Sequence, residues 1–100
     1  MKTFKDLTFE PHPCGEGQKA LLRFDNGRAV SVITGRWFHA SDDKPYEVAF
    51  IKEDGSLGRL LYGMASNAVD VIEDADHNDT IGFCTEDNVT LIMKAIQIEF

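Results

Sequence analysis

The sequence predicts an α+β domain, an antiparallel sheet of four or five strands (two hairpins) with one C-terminal helix packed on one face. Three observations carry this. The stretch Thr85 to Phe100, T-E-D-N-V-T-L-I-M-K-A-I-Q-I-E-F, puts Val89, Ile92, Met93 and Ile96 at i, i+3, i+4 and i+7, one stripe of a helix. Asn26-Gly27 and Asp54-Gly55 each stand between apolar runs and read as hairpin turns. A single helix with one apolar face needs a partner layer, and only strands remain to build it.

Taken in order, Leu7 to Glu10 is a short strand candidate stopped by Pro11 and Pro13. Pro11 to Gly17 is a loop, because two prolines and two glycines break any regular structure there. Lys19 to Asp25 and Arg28 to Gly35 flank Asn26-Gly27. With those two as the central turn residues, Asp25 faces Arg28, Phe24 faces Ala29, Leu22 faces Ser31 and Ala20 faces Ile33. Neither face of this hairpin is purely polar, which places it centrally or covers both its faces in part. Gly35 to Lys44 is a loop with the only Trp. Tyr46 to Lys52 forms a strand with Tyr46, Val48 and Phe50 on one face, and Leu57 to Tyr62 returns from the Asp54-Gly55 turn. Gly63 to Asn67 is a break, Val69 to Ile72 a short edge segment, and Glu73 to Thr80 an acidic loop. Ile81 to Cys84 is an apolar lead into the helix. Thr85 is placed to cap that helix, Glu86 and Asp87 complement its dipole, and Asn88 stands where a capping box would have Glu or Gln.

The 100 residues make a single domain, 1–100, with one core. Hydrophobic content of 43% argues against disorder. No apolar run approaches the roughly 18 residues of a membrane span, and the N-terminus lacks the apolar segment of a signal peptide. A cytoplasmic location is expected, with Cys14 and Cys84 reduced. The net charge of −7 is uneven. Residues 1–59 balance, whereas residues 60–100 hold Lys94 as their one base against eight acids. That half is unsuited to nucleic acid or anionic membrane and suited to a basic protein partner or a divalent cation.

The runs F-D-N-G-R-A-V-S-V-I-T-G, Y-E-V-A-F and N-D-T-I-G-F-C-T-E-D-N-V-T-L-I-M-K-A-I-Q follow in this order between Leu7 and Gln97. Together they resemble a family of small uncharacterised phage and prophage proteins. That family pairs an N-G-x-x-V-S-V hairpin and a Y-E-x-A strand with an acidic I-G-x-x-T-E-x-x-V approach to a C-terminal helix. Trp37, Phe38 and His39 depart from the pattern, and Asn78-Asp79-Thr80-Ile81-Gly82 is one acid short of it. The resemblance implies origin on a mobile element in a bacterial host and a small accessory role. It implies no activity.

No catalytic motif and no cofactor motif stands out. Asp74, Asp76 and Asn78 have the spacing of the first three ligands of an EF-hand loop, but Asp79 stands where Gly is needed and Thr85 where Glu is needed. His12, Cys14, His39, His77 and Cys84 lack the close spacing of a zinc site. Cys84 precedes the helix, where the dipole could activate it as a nucleophile, but a Cys packed beneath the helix fits the pattern better. Gly15-Glu16-Gly17 leads into no helix and so makes no phosphate loop. The partner-binding candidates are Trp37 and Phe38, as loop aromatics, and Asp74, Asp76 and Asp79, as unneutralised acids; the competing reading, favoured for Trp37 because a small domain needs its large aromatics inside, folds that ring back to cap the core. The expected function is non-enzymatic: binding another protein, a basic one being one option, through the acidic face, the loop aromatics or an exposed sheet edge, in its sharper form as an acidic decoy for a nucleic-acid-binding host factor. The alternative is a small metal-binding protein or enzyme using loop histidines and acids. Self-association through a sheet edge is a third expectation.

Overall fold

A computed structural model describes residues 1–13, 15, 17–35, 44–62, 69–72 and 80–98. Among these described residues, seven strands and a helix follow in order: β1 (Glu10–Pro11), β2 (Gln18–Arg23), β3 (Ala29–Thr34), β4 (Tyr46–Ile51), β5 (Arg59–Tyr62), β6 (Val69–Ile72), β7 (Thr80–Cys84) and α1 (Glu86–Ile98). A short 3-10 turn, Phe4–Asp6, precedes them. Five strands form one antiparallel sheet in the order β1-β2-β3-β4-β7, and β5 pairs with β6 in a separate two-stranded sheet. The α+β arrangement with one C-terminal helix matches the sequence.

The helix is as its apolar stripe requires. Val89, Ile92, Met93 and Ile96 are fully buried. Each contributes about 1.5–3 kcal/mol by leaving water. Beneath them lie Val30, Val32, Val48 and Phe50 of β3 and β4, with Phe24 and Cys84 at the margins. Thr85 caps the helix: its Oγ1 accepts the Asn88 N–H at 3.2 Å, and Asn88 Oδ1 accepts the Thr85 N–H at 2.9 Å. The shorter Asn side chain therefore closes the capping box in place of Glu or Gln.

The first hairpin differs in register from the sequence expectation. Its loop has three residues, Asp25-Asn26-Gly27, closed by Phe24 N–H to Arg28 O at 2.6 Å and Gly27 N–H to Phe24 O at 3.0 Å. Gly27 has φ of 89°, the left-handed residue that follows a type I turn in such loops. The pairs are consequently Arg23 with Ala29, Leu22 with Val30 and Ala20 with Val32. The physical reason is facial: the two-residue register would set Leu22 against polar Ser31, whereas this one sends Ala20, Leu22, Val30 and Val32 toward the helix together. The opposite face has small residues at its centre, Ala29, Ser31 and Ala49, and on the outer side Leu21, which is 62% exposed.

The second turn repeats the first. Lys52 N–H donates to Ser56 O and Gly55 N–H to Lys52 O around Glu53-Asp54-Gly55, with Gly55 at φ of 87°. Its return is short-lived. Leu57 bridges Ile51 and Gly58 N–H reaches Phe50 O, after which β5 leaves to pair with β6. The rest of the β4 edge belongs to β7, through Tyr46 with Cys84, Val48 with Ile81 and Ala49 with Thr80. The sequence presents Ile81 to Cys84 only as a lead into the helix; together with Thr80 these residues form the fifth strand of the main sheet. The N-terminal strand is also later and shorter than Leu7 to Glu10. Phe9 instead joins Phe4 and Tyr46 in an aromatic cluster, with ring centroids 5.1 to 5.9 Å apart.

Candidate functional site

Trp37, Phe38, Asp74, Asp76 and Asp79, the partner-binding candidates of the sequence, lie outside the described residues, as do His39, His77 and Cys14. Thr80, the first residue after the acidic run, starts β7, and its Oγ1 donates to Glu47 Oε1 at 2.7 Å. Cys84 ends the strand, about 13 Å further along for an extended chain. Glu86 and Asp87 follow at once in the first helical turn, both exposed and neither in an ion pair among the described residues. Strand β7 itself carries no acid, and Glu86 and Asp87 stand just beyond its end.

The negative field at the helix start reaches a neighbour. Burial pushes the Tyr46 hydroxyl above its ordinary titration range, and the charge of Glu86 adds to the shift. Cys84 is fully buried, with Sγ 3.5 Å from Ile81 O and 3.7 Å from Gly82 O, the packed position that the sequence favoured. A thiol so enclosed has no path to a substrate. Among the described residues no group of three or more His, Cys, Asp or Glu side chains could hold a metal ion. No helix among them is long and apolar enough to cross a membrane.

A different pairing organises the opposite end of the molecule. Arg28, 4% exposed, donates from Nε to Glu53 Oε1 at 2.6 Å and stacks over Phe50, 5.6 Å from guanidinium to ring centroid. It ties the two hairpin turns together. The N-terminal segment is fastened to the helix by Lys2 N–H to Gln97 Oε1 at 3.0 Å, Gln97 Nε2 to Lys2 O at 2.8 Å and Phe4 N–H to Thr90 Oγ1 at 3.2 Å. Between this clip and the first turn lies an open depression of about 560 Å³ edged by Lys2, Asp6, Asp25, Asn26 and Gln97. These polar groups are largely engaged in turns and clips: Asp6 accepts the Thr3 N–H, and Asn26 holds both its own turn and the helix end.

Sequence reasoning passed over one surface. Asp87, Leu91, Lys94 and Ile98 lie on the solvent side of α1, opposite the buried stripe, with Leu91 40% and Ile98 62% exposed. The signal was the spacing of two large aliphatic residues, i and i+7, off the core stripe. Comparison with protein-family models, curated proteins and solved structures finds no match to this chain.

Proposed function

We propose that this chain is a small non-enzymatic interaction protein of phage or mobile-element type that binds a basic protein surface. The observation that carries the reading is the charge distribution: no Lys or Arg occurs between Arg59 and Lys94, while Asp70, Glu73, Asp74, Asp76, Asp79, Glu86 and Asp87 do. The exposure of Glu86 and Asp87, without an ion pair among the described residues, supports it. Fixed negative charge on the first turn of a helix is pre-organised for a cationic partner, and it raises the rate of encounter more than the lifetime of the complex. A nucleic-acid-binding host factor has such a surface, and occupying it would make this protein an acidic decoy. Should the chain also pair through a sheet edge, β7 suits that role better than β1, which has two residues and ends in a proline without an N–H.

The test starts with capture from bacterial lysate at low and high salt. Binding kinetics with the captured protein then compare wild type with Asp74→Asn, Asp76→Asn and Asp79→Asn combined. The reading expects an intact fold, an on-rate lowered by about tenfold at low salt and a shallower salt dependence. Equal on-rates would take these acids out of the interface and turn attention to Trp37 and Phe38, whose truncation acts on the off-rate.

A further inference from the structure

We propose that the outer face of α1 is a self-recognition surface, pairing antiparallel with the same helix of a second copy about a two-fold axis at Leu91. The residues of this face are Asp87, Leu91, Lys94 and Ile98. At 100° per residue they fall within about 60° of one another, so they form one strip along the axis. Two of the four exposed large hydrophobic residues of the molecule's described part, Leu91 and Ile98, lie on it. Lys94 is the sole base of residues 60–100 and makes no ion pair among the described residues. Asp87, on the same strip, is equally free there.

The order of these residues selects the occupant. An antiparallel helix centred on Leu91 brings Leu91 against Leu91. Asp87 lies four residues before the centre, about 6 Å along the axis, and Lys94 three residues after it, about 4.5 Å. The Asp87 of each copy therefore meets the Lys94 of the other, within reach of a flexible lysine, and the two-fold makes the pair twice. Ile98 extends the apolar strip past the first turn of the second copy. The helix dipoles oppose each other favourably in this arrangement. A parallel pairing would instead set Asp87 beside Asp87 and Lys94 beside Lys94. One helix strip buries less than the ~1,200 Å² of a standard interface, and a charge of −7 on each copy opposes contact, so the dimer is weak and concentration-dependent. This pairing is separate from the acidic-surface reading and stands or falls without it.

Sedimentation equilibrium of the full chain over a wide concentration range tests it. Wild type is expected to dimerise reversibly. Lys94→Glu faces acid with acid at two places and should weaken dimerisation by about a hundredfold. The combination Asp87→Lys with Lys94→Glu should restore it, whereas Glu10→Lys with Lys94→Glu, which returns the net charge to the same −7 from an exposed site on β1, should not. In a Cys14→Ser background, Leu91→Cys should form a disulfide-linked dimer on mild oxidation, since Cys84 is buried. Asp87, Leu91 and Lys94 are exposed, and circular dichroism checks that each variant keeps its helix. A monomer at every concentration overturns the proposal, as does a dimer that Lys94→Glu leaves unchanged or that the charge exchange fails to restore.

Discussion

Asn26, in the turn of the first hairpin, closes the end of the C-terminal helix by donating from Nδ2 to Ile96 O at 3.0 Å. The same amide approaches Gln97 O at 3.4 Å, while its Oδ1 accepts the Arg28 N–H at 3.0 Å. No basic residue lies in the last turn of α1, so this side chain supplies a donor where the helix dipole is negative. Seventy residues of sequence separate the partners. One side chain thus fixes both the turn and the position of the helix over the sheet.

Asn26→Ala should lower stability by about 1–2 kcal/mol, since it removes the helix cap and the turn bond together. Asn26→Asp separates the two roles. It keeps the acceptor for Arg28 and brings a negative charge to the negative end of the helix, so it should destabilise as well. Denaturant unfolding measures both. An Asn26→Asp variant as stable as wild type would mean that the Ile96 contact contributes nothing.

Ile92→Ala should cost about 2–5 kcal/mol, the range for a large aliphatic side chain removed from a closed core. Ile92 is fully buried between the helix and the sheet. Thermal melting reads the loss directly, and a change under about 1 kcal/mol would place Ile92 outside the core.

Gly58 is demanded by a neighbour rather than by its backbone angle. A Cβ there would overlap the Phe50 ring, and Phe50 is fully buried. Gly58→Ala should therefore destabilise by about 1–3 kcal/mol through overpacking. Adding Phe50→Leu, which withdraws the ring edge, should make the Gly58→Ala step nearly neutral in the double-mutant cycle. An additive cycle would sink this explanation.

Tyr46 titrates above its ordinary value in the folded protein because of its burial and, secondarily, Glu86. Its folded pKa exceeds the unfolded one, so the stability it confers is complete below the unfolded pKa and is lost as pH rises through the folded pKa. The alkaline limb of the stability profile should therefore begin near pH ~10. Ultraviolet difference titration of wild type against Tyr46→Phe isolates this residue from Tyr62. Glu86→Gln should lower the midpoint only part of the way, since burial is the larger cause.

The parts of this fold that could be read in the sequence are those fixed by local chemistry. The spacing of Val89, Ile92, Met93 and Ile96 defined the helix, Thr85 its start, and the two Asx-Gly pairs the turns. Register was not local. The same Asn26-Gly27 pair fits a two-residue or a three-residue loop, and the common burial of Leu22 and Val30 decided between them. β7 escaped because its pairing partner, β4, is more than thirty residues away in sequence and its five residues include a glycine. Nor does anything near Phe50 in the sequence indicate that β5 leaves β4 just after Gly58. Of the candidate site, the acids of the helix start were legible through the dipole rule, and Cys84 through its apolar surroundings. The outer strip of α1 was not, because attention to the core stripe hides what lies opposite it.

The divided edge of β4 has a consequence for the order in which the chain acquires its structure. β2, β3 and β4 meet through three-residue and short-range connections, so their closure costs little chain entropy. β7 must return across a long intervening stretch, and only Thr85 separates it from α1. Strand and helix therefore arrive as one piece on a template that already exists. Truncations in β2 to β4 should slow refolding, whereas truncations in α1 should mainly speed unfolding. The C-terminal third would then be the first part of the molecule to detach, taking its acids with it while the meander persists.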